Sequence, residues 1–276
     1  MLRLGSIKLE CPAVMGILNV TPDSFSDGGR FAAPPAALPH AERMANEGAA
    51  IIDVGGESTR PGADAVSEQQ EIDRVIPVIE ALRDAVEVPI SVDTSKPGVM
   101  RAAAAAGAAM INDIRALRAD GALAAAVELQ LPVCLMHMQG QPRTMQQDPH
   151  YDDVVREVTE FLSDRVTQCV DAGLSRDLII VDPGFGFGKS PQDNIELLAN
   201  LRQLQDTGVP ILIGVSRKST LGTICNRDVD ERLSASLSAA VLAFERGANI
   251  VRAHDVAQTI DALRIAQAVI ESDKSK

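Results

Sequence analysis

Eight short apolar runs recur along the chain, and this recurrence constrains the fold more than any other feature. They lie near 13–18 (AVMGIL), 50–54 (AIIDV), 89–92 (PISV), 109–112 (AMIN), 132–136 (PVCLM), 178–182 (LIIVD), 210–215 (PILIGV) and 249–252 (NIVR). Most are rich in Ile, Val and Leu and lack polar alternation, the pattern of strands covered on both faces. Longer stretches with helical period separate most of them. In 67–83, Ile72, Val75, Ile76, Ile79 and Leu82 share one face, and Ser67 with Gln70 forms a capping box. In 190–206, Ser190 serves as N-cap, Pro191 suits the first helical position, and Ile195, Leu198 and Leu201 line a stripe. Gly48, Gly107 and Gly173 fall where helices should stop. Pro77, inside a helical stretch, predicts a kink.

Eight strands, each followed by a helix, predict a closed (β/α)8 TIM barrel. An open doubly wound sheet permits the same alternation, and the count of eight favours the barrel. No Pro/Gly/Ser-rich linker divides the 276 residues, so residues 1–276 are expected to form a single domain.

Charge narrows the function. The net charge is −12, from 26 basic and 38 acidic residues. A protein that tracks phosphates needs a basic face, so nucleic acid is an unexpected partner, as is an anionic membrane. A small anionic substrate remains open, because a few aimed cations make a positive site on a negative protein. Cys11, Cys134, Cys169 and Cys225 form no C-x-x-C pair, and the four histidines do not cluster at metal-ligand spacing. The N-terminal MLRLGSIKLECP has no apolar core of a secretion signal. Reduced thiols and a cytoplasmic location are expected.

Every apolar run ends in polar residues that it does not itself require. They are Asn19; Asp53, then GGESTRPG; Asp93; Asn112 and Asp113; Met136 and His137; Asp182, then PGFGFGK; SRKS at 216–219; and Arg252 with His254. In a barrel these ends face one bowl, where active sites sit. Asp93, Asn112, Asp182 and Lys218 suit a flat heterocycle, since a carboxylate accepts two parallel N–H bonds from an amino-pyrimidinone edge. Asn19, Thr59, Arg60, Arg217, Arg252 and His254 are mostly donors, suited to phosphate oxygens. Taken singly, an Asp after a strand is a helix cap and an Arg a solvated charge. Eight strand ends behaving alike is what outweighs that reading.

PGFGFGKS (183–190) is not a phosphate loop, because Pro183 stands where that motif needs glycine. It reads as a tight strand-to-helix turn, with Phe185 and Phe187 as apolar wall. SDGGRF (26–31) and STRPGAD (58–64) read as long loops beside the bowl. His137 reads as a satisfied core imidazole.

The motifs GILNVTPDSFSDGG (16–29), GAAIIDVGGESTRPGA (48–63), ISVDTSKP (90–97), INDIRAL (111–117), LMHMQGQPRTMQ (135–146), DPGFGFGK (182–189), GVSRKS (214–219) and VRAHDV (251–256) resemble the dihydropteroate synthase family of pterin-binding enzymes. The likeness runs from about residue 3 to about residue 270, with Ala253 as a small departure where a β-branched residue is common. It implies a homodimeric TIM-barrel transferase of folate biosynthesis. Such an enzyme joins 6-hydroxymethyl-7,8-dihydropterin diphosphate to p-aminobenzoate, giving 7,8-dihydropteroate and diphosphate.

The resemblance also implies roles by motif position. Asp93, Asn112, Asp182 and Lys218 would hold the pterin, with Met136 and Phe187 beside it. Asn19, Arg252 and His254 would bind the diphosphate, with Mg2+ bridging Asn19 and phosphate oxygens. Thr59 and Arg60 would close over the diphosphate, and Asp27 would help seat the metal and the pterin methylene. Phe25, Pro61, Arg217, Lys218 and Ser219 would border the p-aminobenzoate pocket, which sulfonamides also occupy. Asp27, Arg60, Lys218, Arg252 and His254 would carry the catalysis. A related methyltransferase barrel would share the pterin carboxylates and amide, but it would not need the SRKS turn or the two long loops. A pterin carrier without catalysis would not need every active-site position filled.

Overall fold

The strands of the barrel follow one another in chain order around a single parallel sheet. In the computed structural model, which describes residues 1–21, 34–58, 64–141 and 143–274, an N-terminal antiparallel hairpin comes first: β1 (Leu2–Leu4) and β2 (Ile7–Leu9). The barrel strands are β3 (Ala13–Asn19), β4 (Ile51–Gly55), β5 (Ile90–Asp93), β6 (Met110–Asp113), β7 (Val133–Met136), β8 (Ile179–Asp182), β9 (Leu212–Ile213) and β10 (Ile250–Ala253). They run β8-β7-β6-β5-β4-β3-β10-β9 through parallel pairs. A parallel bridge between Val181 and Ile211, with Val181 N–H donating to Pro210 O at 2.9 Å, joins the two ends. The circle is therefore closed, which excludes the open sheet.

Strand β9 is shorter than the sequence suggests. The run 210–215 yields only Leu212–Ile213 as ladder. Pro210 has no N–H to give, and Ile211 N–H donates to the Asn249 side chain at 2.8 Å instead of a neighbouring strand.

Around the sheet lie α1 (Pro34–Asn46), α2 (Glu68–Ala85), α3 (Pro97–Ala106), α4 (Ala122–Leu129), α5 (Val154–Asp171), α6 (Pro191–Ala199), α7 (Ser219–Cys225), α8 (Leu233–Glu245) and α9 (Val256–Lys274). The α2 capping box forms as the sequence predicts: Ser67 accepts from Gln70 N–H, and the Gln70 side chain accepts from Ser67 N–H. Gly48, Gly107 and Gly173 all take positive φ after helices, at 102°, 119° and 104°. Pro77 lies within α2, which continues on both sides of it as one helix.

The stretch 190–206 is not a single helix. It stops at Ala199, and Leu201–Thr207 continues as tighter 3-10 turns. The Asn200 side chain bonds back to Glu196 O at 2.9 Å, a local competitor for the helix backbone. Leu201 and Leu204 remain buried across the break.

Two apolar layers explain the unalternating strands. One face of each strand packs against the helices, through residues such as Leu18, Ile52, Val54, Val92 and Ile111. The other face fills the lower barrel with Met15, Ile51, Met110, Cys134, Ile180, Leu212 and Ile250. Leu4, Ile7 and Leu9 of the hairpin pack onto that inner layer and close its floor. The sequence reading did not include this hairpin. Its signal is a pair of very short alternating runs around Gly5-Ser6, with Gly5 at φ 56° in the turn. Among the described residues no helix is long and apolar enough to cross a membrane.

Candidate active site

Above the floor and inner layer, polar side chains gather toward the upper rim, where the strands end. At its centre stands Arg252, on β10. Its Nε donates to Asp53 Oδ2 at 2.6 Å, and its Nη2 donates to Asp93 Oδ2 at 2.9 Å. Asn112 Nδ2 donates to the same Asp53 oxygen at 2.9 Å. Strands β4, β5, β6 and β10 are thereby tied through one cluster. Asp53 is fully buried, and its Oδ1 has no hydrogen-bond partner among the described residues.

The electrostatics follow from burial. Burial pushes the Asp93 carboxyl up to about 7, with Arg252 opposing and the Asp53 charge adding to the rise. Asp182, at the end of β8, is pushed up to about 6 by burial, against the hydrogen bond its Oδ1 accepts from Gly184 N–H at 2.7 Å. Burial lowers Lys218 to about 8, with the Asp182 charge opposing. The Lys218 ammonium lies 3.9 Å from the centre of the Phe187 ring. Beside that ring, Met136, Met138 and Met145 form a small apolar cluster. Phe187 thus forms wall, as expected. Phe185 does not: it is buried in the main core between sheet and helices. Glycines at positive φ on either side of it turn the two rings to different surroundings.

His254 follows β10. Its backbone N–H donates to Ser216 Oγ at 3.2 Å, and its Nδ1 lies 2.9 Å from the same oxygen. With the serine hydroxyl donating to Nδ1, the neutral ring carries its proton on Nε2, free to face the bowl. Burial, together with the charges of Arg252 and Arg217, lowers His254 to about 4. Arg217, at φ 57°, forks its guanidinium onto Asp255, at 3.1 and 2.6 Å. Ser219 is the first residue of α7, directly after Lys218.

Asn19 ends β3 in register with Gly55, which in turn pairs with Asp93. A methyl group built on Gly55 would meet Asn19 Oδ1 at 3.5 Å and Asp93 Oδ2 at 3.7 Å, so glycine leaves a gap between two hard oxygens. Among the described residues no three His, Cys, Asp or Glu side chains gather as a metal cage. Phe25, Asp27, Thr59, Arg60 and Pro61 lie outside the described residues.

Some structural parts of the site were given no role from sequence. Asp53 is one; it stands out as a carboxylate in the middle of an apolar strand, but its partners do not. Ser216 and Asp255 hold His254 and Arg217. Lys189 and Asn194 hold the 182–189 turn, where Asn194 Oδ1 accepts from Gly186 N–H at 2.6 Å. His137 is the satisfied core imidazole expected: buried, 2.9 Å from Lys189 Nζ, and edge-on to Phe161.

Comparison with known proteins matches this architecture. The model of the pterin binding enzyme family covers residues 15–254. The chain is 53% identical over 271 residues to the dihydropteroate synthase of Escherichia coli strain K12, covering 98% of this chain and 96% of that one. The Yersinia pestis dihydropteroate synthase, solved with a sulfonamide drug complex, superposes with a TM-score of 0.93 at 50% identity, covering 98% and 99% of the two chains. The Xanthomonas albilineans dihydropteroate synthase, solved with 4-aminobenzoic acid, gives a TM-score of 0.89 at 54% identity, covering 94% and 93%.

Proposed function

The chain belongs to the dihydropteroate synthases within the pterin-binding enzymes, and on that premise we propose how its bowl performs the transfer. The substrates are 6-hydroxymethyl-7,8-dihydropterin diphosphate and p-aminobenzoate; the products are 7,8-dihydropteroate and diphosphate. The observation that carries the reading is the meeting of Asp93, Asn112, Asp182, Lys218, Arg252 and His254 at one rim of a chain alike to these enzymes over nearly its whole length.

In this reading Asp182 accepts two N–H bonds from the amino-pyrimidinone edge, and Asp93 and Asn112 hold the remaining ring edge. Met136 and Phe187 bound the ring plane, and Lys218 bridges the pterin to the p-aminobenzoate side. Arg252 commits Nε and Nη2 to carboxylates, so its Nη1 edge serves the phosphate oxygens. His254 offers Nε2–H as a neutral donor. Asn19, Thr59 and Arg60 complete the diphosphate cradle. Asp27 stands by the methylene, and Phe25, Pro61, Arg217 and Ser219 border the arylamine pocket.

The methylene C–O bond breaks as diphosphate departs, the ring delocalises the cation, and the arylamine nitrogen forms the new C–N bond and loses its proton. No protein nucleophile takes part. The residues supply positioning and stabilisation of the leaving charge. Asn19 Oδ1, beside Gly55, is a hard oxygen of the kind that holds Mg2+, which takes one or two protein oxygens plus substrate phosphates. When bound through Asn19, Mg2+ would supply neutralisation of phosphate charge.

The enzyme is proposed to be a cytoplasmic homodimer. The four cysteines are free thiols, and Leu233 and Leu242 of α8 with Ile265 and Val269 of α9 expose an apolar face suited to a second copy. The test mixes protein, Mg2+, pterin diphosphate and labelled p-aminobenzoate. Labelled dihydropteroate is the expected product, and its absence overturns the reading.

A further inference from the structure

Lys189 closes the glycine-rich turn, and only 1% of it is exposed. Its ammonium donates to Gly184 O at 3.0 Å and Phe187 O at 2.9 Å, and lies 2.9 Å from His137 Nδ1. Three N–H groups thus meet three acceptors, with His137 O more distant at 3.4 Å. The imidazole is held as an acceptor: burial and the Lys189 charge lower His137 to about 2. Burial lowers Lys189 itself to about 7, with the Asp182 charge opposing.

The two carbonyls that Lys189 grips belong to residues that act on the bowl through their other groups. Gly184 donates its N–H to Asp182 Oδ1. Phe187 presents its ring to the Lys218 ammonium. The turn has little other freedom. A Cβ at Gly184 would overlap the His137 carbonyl, and one at Gly188 would overlap that of Gln139. Tyr151 adds a hydrogen bond from its hydroxyl to Gly188 O at 2.7 Å. No solvent-facing role is open to an ammonium enclosed in this way.

We propose that Lys189 is a positioning residue for pterin recognition: from beneath the turn it fixes the Gly184 and Phe187 peptides, so that the Asp182 carboxylate and the Lys218 ammonium meet the ring in one set relation. Lys189 itself touches no substrate. The inference rests on the assignment of Asp182 and Lys218 to the pterin.

The experiment compares Lys189→Met and Lys189→Gln with wild type, and runs Asp182→Asn alongside. Calorimetry with pterin diphosphate and Mg2+ gives Kd from about pH 5 to about pH 9, and steady-state kinetics gives both KM values. The Lys189 variants are expected to bind pterin about tenfold more weakly, the effect of misplacing one charge-assisted hydrogen bond. Their KM for p-aminobenzoate should rise less than the pterin Kd, because of the two groups that Lys189 positions only Lys218 borders that pocket. The acidic limb of pterin binding should move to higher pH, because the lost ammonium favoured ionised Asp182. A purely structural lysine would lower the melting temperature and leave the pterin affinity of the folded enzyme and the position of that limb unchanged; that result overturns the inference. If Asp182→Asn also binds normally, the assignment of the pterin site fails as well; if Asp182→Asn is weak and the Lys189 variants are normal, only this inference fails. Should both Lys189 variants fail to fold, His137→Leu decides, since it removes one acceptor of the cage. A loss of about threefold or more in pterin affinity supports the inference, and unchanged affinity overturns it.

Discussion

Arg252 and Asp53 stand 199 positions apart in the chain, yet Arg252 Nε donates to Asp53 Oδ2 at 2.6 Å inside the barrel mouth. The guanidinium therefore serves two ends: it balances buried carboxylates below and faces the leaving group above. Arg252→Ala should slow turnover by about 10²–10³-fold. It also strands Asp53 and Asp93 beside each other, at a cost of about 3–5 kcal/mol. The variant should fold but melt roughly 6–20 °C lower. Near wild-type turnover in steady-state assays would contradict the assignment.

Asp182→Asn should weaken pterin binding by about 1.5–3 kcal/mol, because an amide cannot accept two N–H bonds on two equivalent oxygens. Its stability should move the other way. A carboxyl raised to about 6 when folded takes up a proton on folding, so its contribution is full below the unfolded value of 3.8 and lost as pH rises through about 6. The amide has no such loss. Melting scans should show the variant gaining on wild type between pH 4 and pH 6, while calorimetry shows the affinity loss. Unchanged affinity would remove Asp182 from the site.

The pH profile of kcat/KM for the pterin substrate should be a narrow bell. Asp93 and Asp182 must be ionised to accept N–H bonds, so the acid limb falls as pH drops through about 7 and 6. Lys218 loses its charge as pH rises through about 8, which sets the alkaline limb. Lys218→Met should lower the whole curve and flatten the alkaline side. An alkaline limb unmoved in that variant would assign it elsewhere.

Two alanine substitutions separate backbone strain from collision. Gly121 and Gly184 both hold positive φ, at 77° and 68°. At Gly121 the nearest atom to a new methyl is Pro97 Cγ at 3.5 Å, so Gly121→Ala should cost only about 1–2 kcal/mol of stability and spare activity. Gly184→Ala drives the methyl into the His137 carbonyl, and should lose pterin binding as well as stability. Melting curves and calorimetry on both variants check the contrast; equal outcomes would refute it.

The barrel was readable because its strands are sandwiched. Both faces of β3 through β10 need apolar residues, so each strand appears as an uninterrupted run, and the ends of those runs mark the rim. Asp53 stands out inside such a run, but its role was illegible, because it owes its place to Arg252 and Asn112, residues far away in sequence. Lys189 was hidden differently: two of its three near partners are backbone carbonyls, which no side-chain pattern announces, and the third, His137, lies 52 positions away. The break at Asn200 turned on one side-chain bond to Glu196 O. Phe185 and Phe187 look equivalent in sequence, and the positive φ of Gly184 and Gly186, on either side of Phe185, sends that ring inward. The expectations for Phe25, Asp27, Thr59, Arg60 and Pro61 fall outside the described residues.

The hairpin Leu2–Leu9 precedes every barrel strand in the sequence, yet its resting place includes Leu212 and Ile250, from the two strands that come after all the others, β9 and β10. During synthesis this stopper has no vessel to close. Sealing the base must await β9 and β10, so segments more than 200 positions apart complete the enclosure together.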